Sequence, residues 1–174
     1  HQWRFWNAKY NNCDDSYENK GIDQLQNIIN EINICKNTGE NSRRLIMSAW
    51  NPEQLDEMAL PPCHVLSQFH ITEGNKLSCS LYQRSGDMGL GVPFNIASYG
   101  FLTHLLAKHC DLEPNEFIHF IGNMHIYDDH IDILNKQINK KKNSDTNSEV
   151  LQQHGQDLEP LAVTRECQQD LQRM

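Results

Sequence analysis

The sequence is short of positive charge, of long apolar runs and of patterned cysteines, and each shortage removes a class of protein. Fifteen Lys and Arg stand against 23 Asp and Glu, giving a formal net charge of −8 and a pI near 5.5. A nucleic-acid surface needs clustered basic side chains, so no nucleic-acid partner is expected, although a local anion pocket stays open. No apolar stretch approaches the roughly 20 residues that span a bilayer, and the N-terminus lacks the apolar segment of a secretory signal. A soluble, cytoplasmic chain with no membrane contact is the expectation. Cys13, Cys35, Cys63, Cys79, Cys110 and Cys167 show no regular spacing and no C-x-x-C pair. A chain of 174 residues does not need covalent staples, so reduced thiols are expected. Apolar residues make up 38% and become sparse toward the C-terminus, which puts the expected core between residues 1 and 138.

What is present reads as a mixed α/β pattern. Asp23 is placed to cap a helix carrying Ile22, Leu25, Ile28, Ile29 and Ile32 at helical spacing, closed by Asn37-Thr38-Gly39. Leu45 to Trp50 predicts a short buried strand stopped by Asn51-Pro52. Val65–Ile71 and Leu77–Tyr82, with Gly74-Asn75 between them, predict an antiparallel hairpin. Asn95 to Cys110 predicts the longest helix, with Ile96, Tyr99, Leu102, Leu105, Leu106 and His109 on one stripe. Gly100 inside it implies close packing, since glycine there costs about 1 kcal/mol of helix propensity. Phe117–Gly122 predicts another buried strand, and Asp128–Ile138 a helix with Ile131, Leu134 and Ile138 inward. Residues 139–174 read as a polar insertion or tail, because residues 143–157 hold too few apolar groups to offset ordering.

Three stretches carry chemistry. Cys63 follows two prolines, Arg84 and Ser85 end an apolar run, and a Gly/Pro loop delivers Asn95 to the start of a helix. A cysteine acts as nucleophile only as thiolate, which needs a nearby cation or helix N-terminus. His64 in a strand would point away from Cys63, so Arg84 is the better neighbour; composition alone leaves Cys63 equally well read as a small buried hydrophobe. Arg84 and Ser85, with Arg43 and Arg44 at another strand start, make four phosphate-directed groups suited to a monoester dianion. Each arginine alone reads as a surface residue. Asn95 offers a donor and an acceptor, and so could read an amide-like ring edge such as that of uracil, or simply cap a helix. His125 and Tyr127 share a face if the strand continues, where both could meet a sugar hydroxyl. Cys63, His64, His125 and His130 could alternatively form a zinc module, although the spacing is weak and no metal is the expectation.

Taken in order, Gln2-Trp3-Arg4, Gly21-Ile22-Asp23-Gln24-Leu25, Arg43-Arg44, Trp50-Asn51-Pro52, Leu60-Pro61-Pro62-Cys63-His64, Tyr82-Gln83-Arg84-Ser85-Gly86-Asp87, Gly91-Val92-Pro93-Phe94-Asn95-Ile96-Ala97-Ser98-Tyr99 and His125-Ile126-Tyr127 resemble the thymidylate synthases, from residue 2 to about 138. The resemblance implies a three-layer α/β (α+β) fold, with a mixed sheet, helices on one face and a homodimer interface on the other. It implies reductive methylation of dUMP to dTMP with 5,10-methylenetetrahydrofolate as co-substrate. Cys63 would add to carbon 6 of the pyrimidine. The dUMP site would comprise Cys63, His64, Gln83, Arg84, Ser85, Asp87, Asn95, His125 and Tyr127, with Arg43 and Arg44 donated by the second subunit. Asp87, Leu90, Gly91 and Phe94 would take the folate. An aspartate in place of Asn95 would suit cytosine and resemble the dCMP hydroxymethylases, so Asn95 argues for uracil.

The resemblance also implies that parts are missing. No stretch matches the family's N-terminal segment, which carries a phosphate-loop arginine and a proton-organising glutamate, nor the C-terminal segment that closes over folate. The expectation is therefore a catalytic-core portion with impaired turnover; the alternative is a non-catalytic nucleotide-binding fragment or pseudoenzyme of the same fold.

Overall fold

In a computed structural model the described residues are 4–9, 16–72 and 75–145. A two-residue strand β1 (Phe5–Trp6) pairs antiparallel with β2 (Ile22–Asp23), which runs directly into helix α1 (Gln24–Thr38). Asp23 caps that helix by accepting the Gln26 N–H at 3.1 Å, and its carboxylate is gripped by Arg4 at 2.9 Å. Gly39 closes the helix in the left-handed region (φ 74°), where a residue without a Cβ is least strained. Ile28 and Ile32 face inward as expected and Cys35 joins them, whereas Ile22 does not. The residue before the cap is extended, so it belongs to β2 and is exposed.

The main sheet has the order β3-β4-β5-β6, from β3 (Ile46–Ser48), β4 (His64–Thr72), β5 (Lys76–Asp87) and β6 (Glu113–His125). β3, β4 and β5 are antiparallel neighbours, and β5 pairs with β6 in parallel across helix α2 (Gly91–His109). The sheet is therefore mixed, and the hairpin pairing expected of β4 and β5 is present, with Phe69 opposite Cys79. Gly74 lies outside the described residues; Asn75 beside it is left-handed at φ 59°. Period-two alternation puts Met47, Phe69, Leu77, Cys79 and Leu81 on one face. There they form a single cluster with Ile28 and Ile32 of α1 and Tyr99, Leu106 and Ala107 of α2, so both helices cover the same side.

Several expectations are corrected. β5 runs on to Asp87, so Arg84 and Ser85 lie inside a strand and not at its end. α2 begins at Gly91, four residues before Asn95, because Pro93 fits a first helical turn where its missing N–H has no partner to lose. Asn95 thus projects from inside the helix and caps nothing. The buried stripe of α2 is Val92, Tyr99, Thr103, Leu106 and Ala107; Leu105 and His109 are exposed. No atom comes within 4 Å of where a Cβ on Gly100 would lie, so close packing does not explain that glycine, and Phe101 beside it is 68% exposed. An apolar helix surface identifies candidates for burial, but not which of them a neighbour covers.

Among the described residues β6 is the last strand of its sheet, and it is half exposed rather than buried. Phe117, His119 and Ile121 turn inward, while Ile118 and Phe120 on the alternate positions are exposed. Residues 128–130 form a 3₁₀ turn ahead of helix α3 (Ile131–Asp145), which continues through the lysine run, a sequence that helix propensity favours. Ile131 and Ile138, expected inward, are exposed. The chain divides into two compact units at Asp132/Ile133. Among the described residues no helix is long and apolar enough to cross a membrane. The tail beyond residue 145 lies outside the described residues.

Candidate active site

Cys63 occupies the bend that leads into β4, and its carbonyl accepts the Arg84 N–H of β5 at 2.9 Å. With Pro62, His64, Ala49, Tyr99 and Leu102 it borders an apolar cavity of about 590 Å³. His64 lines the same cavity as Cys63, against the expectation that it points away, because Cys63 precedes the pleat and strand alternation does not apply across that bend. A bulge follows at once. His64 pairs with Gln83 and Leu66 with Tyr82, so one extra residue of β4, Val65, sits between consecutive partners of β5. That extra residue resets the alternation and lets His64 face α2 together with Gln83.

On that helix-facing side a polar group assembles. Gln83, 2% exposed, donates from Nε2 to Asn95 Oδ1 at 2.9 Å and to the Ser85 carbonyl at 2.8 Å. Its Oε1 lies 2.9 Å from His119 Nε2. Burial pushes His64 below its ordinary value, with the nearby Asn95 side chain working the other way. Burial also lowers His119, helped by the nearby His64. Both imidazoles are therefore neutral near pH 7, and hydrogen-bonding groups rather than charges.

Arg84 faces the other way. Its Nε and Nη2 donate to the carbonyls of Pro62 (3.0 Å) and Pro61 (2.8 Å), and its guanidinium carbon lies 5.6 Å from the Trp50 ring centroid. The cation thus holds the backbone just before the cysteine, and three of its five N–H donors remain for an anion. This is not the thiol contact expected of it.

A second cluster forms around Asp87, which stands opposite His125 in the parallel register. Its carboxylate accepts the N–H groups of Gly89 (2.9 Å), Leu90 (3.2 Å) and Gly91 (3.4 Å), and His130 approaches to 3.7 Å. Partial desolvation raises the carboxyl, but those N–H groups and His130 outweigh it and leave Asp87 below its ordinary value. Tyr127 packs edge-on against both His125 and His130, and His125 Nδ1 lies 3.2 Å from Asn123 Oδ1. Ser85 sits opposite Asn123 in the same pairing. Leu90 and Phe94 leave most of their surface uncovered, 67% for Phe94. Gly91 bridges the clusters, since a Cβ there would lie 3.8 Å from Asp87 and 3.9 Å from Asn95.

Arg43 and Arg44 join neither cluster. Both are exposed and border a separate polar cavity of about 430 Å³ with Glu31, Thr38 and Glu40. The zinc alternative requires Cys63, His64, His125 and His130 together; among the described residues no group of three or more His, Cys, Asp or Glu could hold an ion. The four described cysteines Cys35, Cys63, Cys79 and Cys110 are free thiols, and burial pushes Cys79 up to about 12, which leaves it inert.

The site thus combines a thiol at an apolar cavity, a loop held by an arginine and an amide held by Gln83. A model of the thymidylate synthase family matches residues 1–165, and the chain belongs to that family. It is 55% identical to a thymidylate synthase of Saccharomyces cerevisiae over 147 residues, which cover 80% of this chain and 47% of that protein. It is also 55% identical over 139 residues to thymidylate synthase 1/2 of Encephalitozoon cuniculi and to a bifunctional dihydrofolate reductase-thymidylate synthase of Paramecium tetraurelia, covering 46% and 29% of those proteins. The chain thus spans less than half the length of these relatives.

His119 escaped the sequence reading, as did the contacts of Arg84 with Trp50 and the Pro61 and Pro62 carbonyls. A signal existed for His119: it is the one strongly polar member of the inward series Phe117, His119, Ile121.

Proposed function

We propose that this chain is the catalytic-core portion of a thymidylate synthase, contributing to the reductive methylation of dUMP to dTMP. The observation that carries the reading is the joining of Cys63 and His64 at one cavity, with Asn95 tied to the same face through Gln83. The thiol borders the cavity beside His64, and Gln83, the sheet partner of His64, holds the Asn95 amide in one orientation. In the proposed step the Cys63 thiolate forms a bond to carbon 6 of the pyrimidine, and the electron pair moves onto the carbon 5 side to make it nucleophilic. Asn95 reads the ring edge. Arg84 and Ser85 take the 5′-phosphate, and His125 and Tyr127 the 3′-hydroxyl.

The Asp87 cluster fits a folate. A carboxylate with acceptor capacity left over stands beside the uncovered Leu90 and Phe94, as a flat ring with N–H groups on its edge requires. When bound, 5,10-methylenetetrahydrofolate would supply the one-carbon unit and the reducing equivalents. Asp87, Leu90, Gly91 and Phe94 would hold it.

The complete site is proposed to need a second copy of the chain. Arg43 and Arg44 are exposed and away from the cavity, as groups donated to a partner would be. The open sheet face carrying Tyr82, Ile118 and Phe120 is apolar enough to be covered in a homodimer. Residues 1–138 are read as catalytic domain and 139–174 as insertion or tail, in a cytoplasmic protein without nucleic-acid or membrane partners. Because the chain spans 47% of the yeast relative, a nucleotide-binding role without turnover is the second reading.

Calorimetry with dUMP and release of tritium from carbon 5 in the presence of the folate separate these readings. Binding with release supports the first, and binding without release supports the second. Absence of dUMP binding by a folded chain overturns both.

A further inference from the structure

We propose that His119 is a positioning residue for nucleotide selection: acting through Gln83, it fixes which end of the Asn95 amide faces the pyrimidine. The inference rests on the proposed reading of Asn95 as the group that recognises uracil. Nothing in the family resemblance assigned His119 a part.

An amide side chain has a donor end and an acceptor end of nearly equal shape, so its surroundings must choose between them. Here the choice begins at a backbone carbonyl. The Ser85 oxygen can only accept, and it lies 2.8 Å from one end of the Gln83 amide, so that end is nitrogen. The second hydrogen of the same nitrogen points to Asn95 at 2.9 Å, so the atom it meets there is oxygen. The other end of Gln83 is then oxygen, and since His119 Nε2 lies 2.9 Å from it, that ring nitrogen carries the hydrogen.

The His119 ring is itself held. It packs against Phe117 (5.3 Å between centroids), Phe117 stacks on Tyr99 (5.9 Å), and Tyr99 meets His64 edge-on (5.1 Å). Two lines of contact thus run from His119, one through Gln83 to Asn95 and one through Phe117 and Tyr99 to His64. Gln83 is 2% exposed, so water cannot readily take over for His119. Burial keeps His119 neutral near pH 7, which suits a donor that must not carry charge beside His64.

The orientation matters for the choice of base. Uracil offers an acceptor at carbon 4 and a donor at N3, and cytosine offers the reverse. With its nitrogen free to donate and one oxygen lone pair left to accept, Asn95 in the observed orientation complements uracil. Turned over, it complements cytosine. Losing the His119 donor leaves the Gln83 oxygen unpaired and only the Ser85 carbonyl to hold the two amides in this orientation.

Two measurements on the full 174-residue chain test this. By ¹⁵N NMR without ligand, His119 should be the neutral Nε2–H tautomer, and the Asn95 side-chain amide should be a single sharp pair. That pair should broaden or split in His119→Phe and sharpen again in His119→Asn, which can still donate. By calorimetry, the dUMP to dCMP affinity ratio should fall about tenfold in His119→Phe, the worth of one hydrogen bond, and recover in His119→Asn. An Nδ1–H tautomer, or an Asn95 amide unmoved in His119→Phe, overturns the proposal. If His119→Phe does not fold, the tautomer and the Asn variant decide. If the unsubstituted chain binds no dUMP, the proposed function fails, and the ligand-free spectra still decide the coupling.

Discussion

The two sides of β5 differ in how far their bonding capacity is committed. On the side facing α2, Gln83 is 2% exposed and bonded to Ser85, Asn95 and His119. One residue later Arg84 turns to the other side, spends two donors on the Pro61 and Pro62 carbonyls and keeps three. On that side Phe120 is 62% exposed and stacks at 5.4 Å on Tyr82, itself exposed. On the inner side the Gln83 amide has spent its bonding capacity, which holds the Asn95 side chain in one orientation. The outer side is left with unspent donors and uncovered rings, the condition of a surface awaiting an anion or another chain. Cys63 lies at the strand entrance between them, fixed by the outer side through Arg84 and open to the cavity on the inner side.

The comparison can be broken at several points. The largest effect should come where the two sides meet. Under the proposed function Cys63→Ser should lower tritium release by on the order of 10³-fold or more, as loss of a nucleophile does, with little change in the urea midpoint. On the inner side Phe69→Ala should cost about 3–5 kcal/mol by urea unfolding, because Phe69 is fully buried at the centre of the cluster. On the outer side Arg84→Met should weaken dUMP binding by roughly 10- to 100-fold in calorimetry, the loss of one charge-assisted pairing.

Smaller effects follow from titration. His64 and His119 lie below their ordinary value of 6.5 because of burial. The unfolded chain therefore takes up protons first as pH falls, and stability drops from 6.5 downward while staying flat above it. Asp87 lies below 3.8, so its contribution is present above 3.8 and is lost as pH falls through its folded value. Urea midpoints across this range should show both steps with the same sign, the upper one reduced in His119→Phe. Smallest of all, Phe120→Lys should change unfolding by no more than about 0.5 kcal/mol in the monomer, as exposed substitutions do. It should nevertheless weaken self-association in sedimentation; undiminished association would show that this face is not the dimer surface.

Much of the local architecture was readable in sequence. Asp23 and Gly39 bracket α1 because capping chemistry is local, and the alternation of Val65–Ile71 with Leu77–Tyr82 describes a hairpin whose partners adjoin in sequence. The chain positions of Cys63, Arg84, Asp87 and Asn95 were likewise legible. Their grouping was not. Arg84 appeared aimed at the thiol and is bonded to the carbonyls before it. His64 appeared to face away and, across a bend and a bulge, faces the same cavity. Arg43 and Arg44 belong in the sequence pattern but do not reach the site within one chain.

Sequence alone determined the elements with short-range causes: where α1 starts and stops, which strand alternates, and which residue types recur in the order of a known family. Tertiary structure alone decided which surfaces of α2 are covered, that β6 ends its sheet among the described residues, and that His119 meets Gln83 across 36 positions of chain. The reason is physical. A helical or pleated period fixes which side chains share a face, but the surroundings of a buried amide such as that of Gln83 include partners far away in sequence, His119 among them. Only folding brings such partners within hydrogen-bonding range.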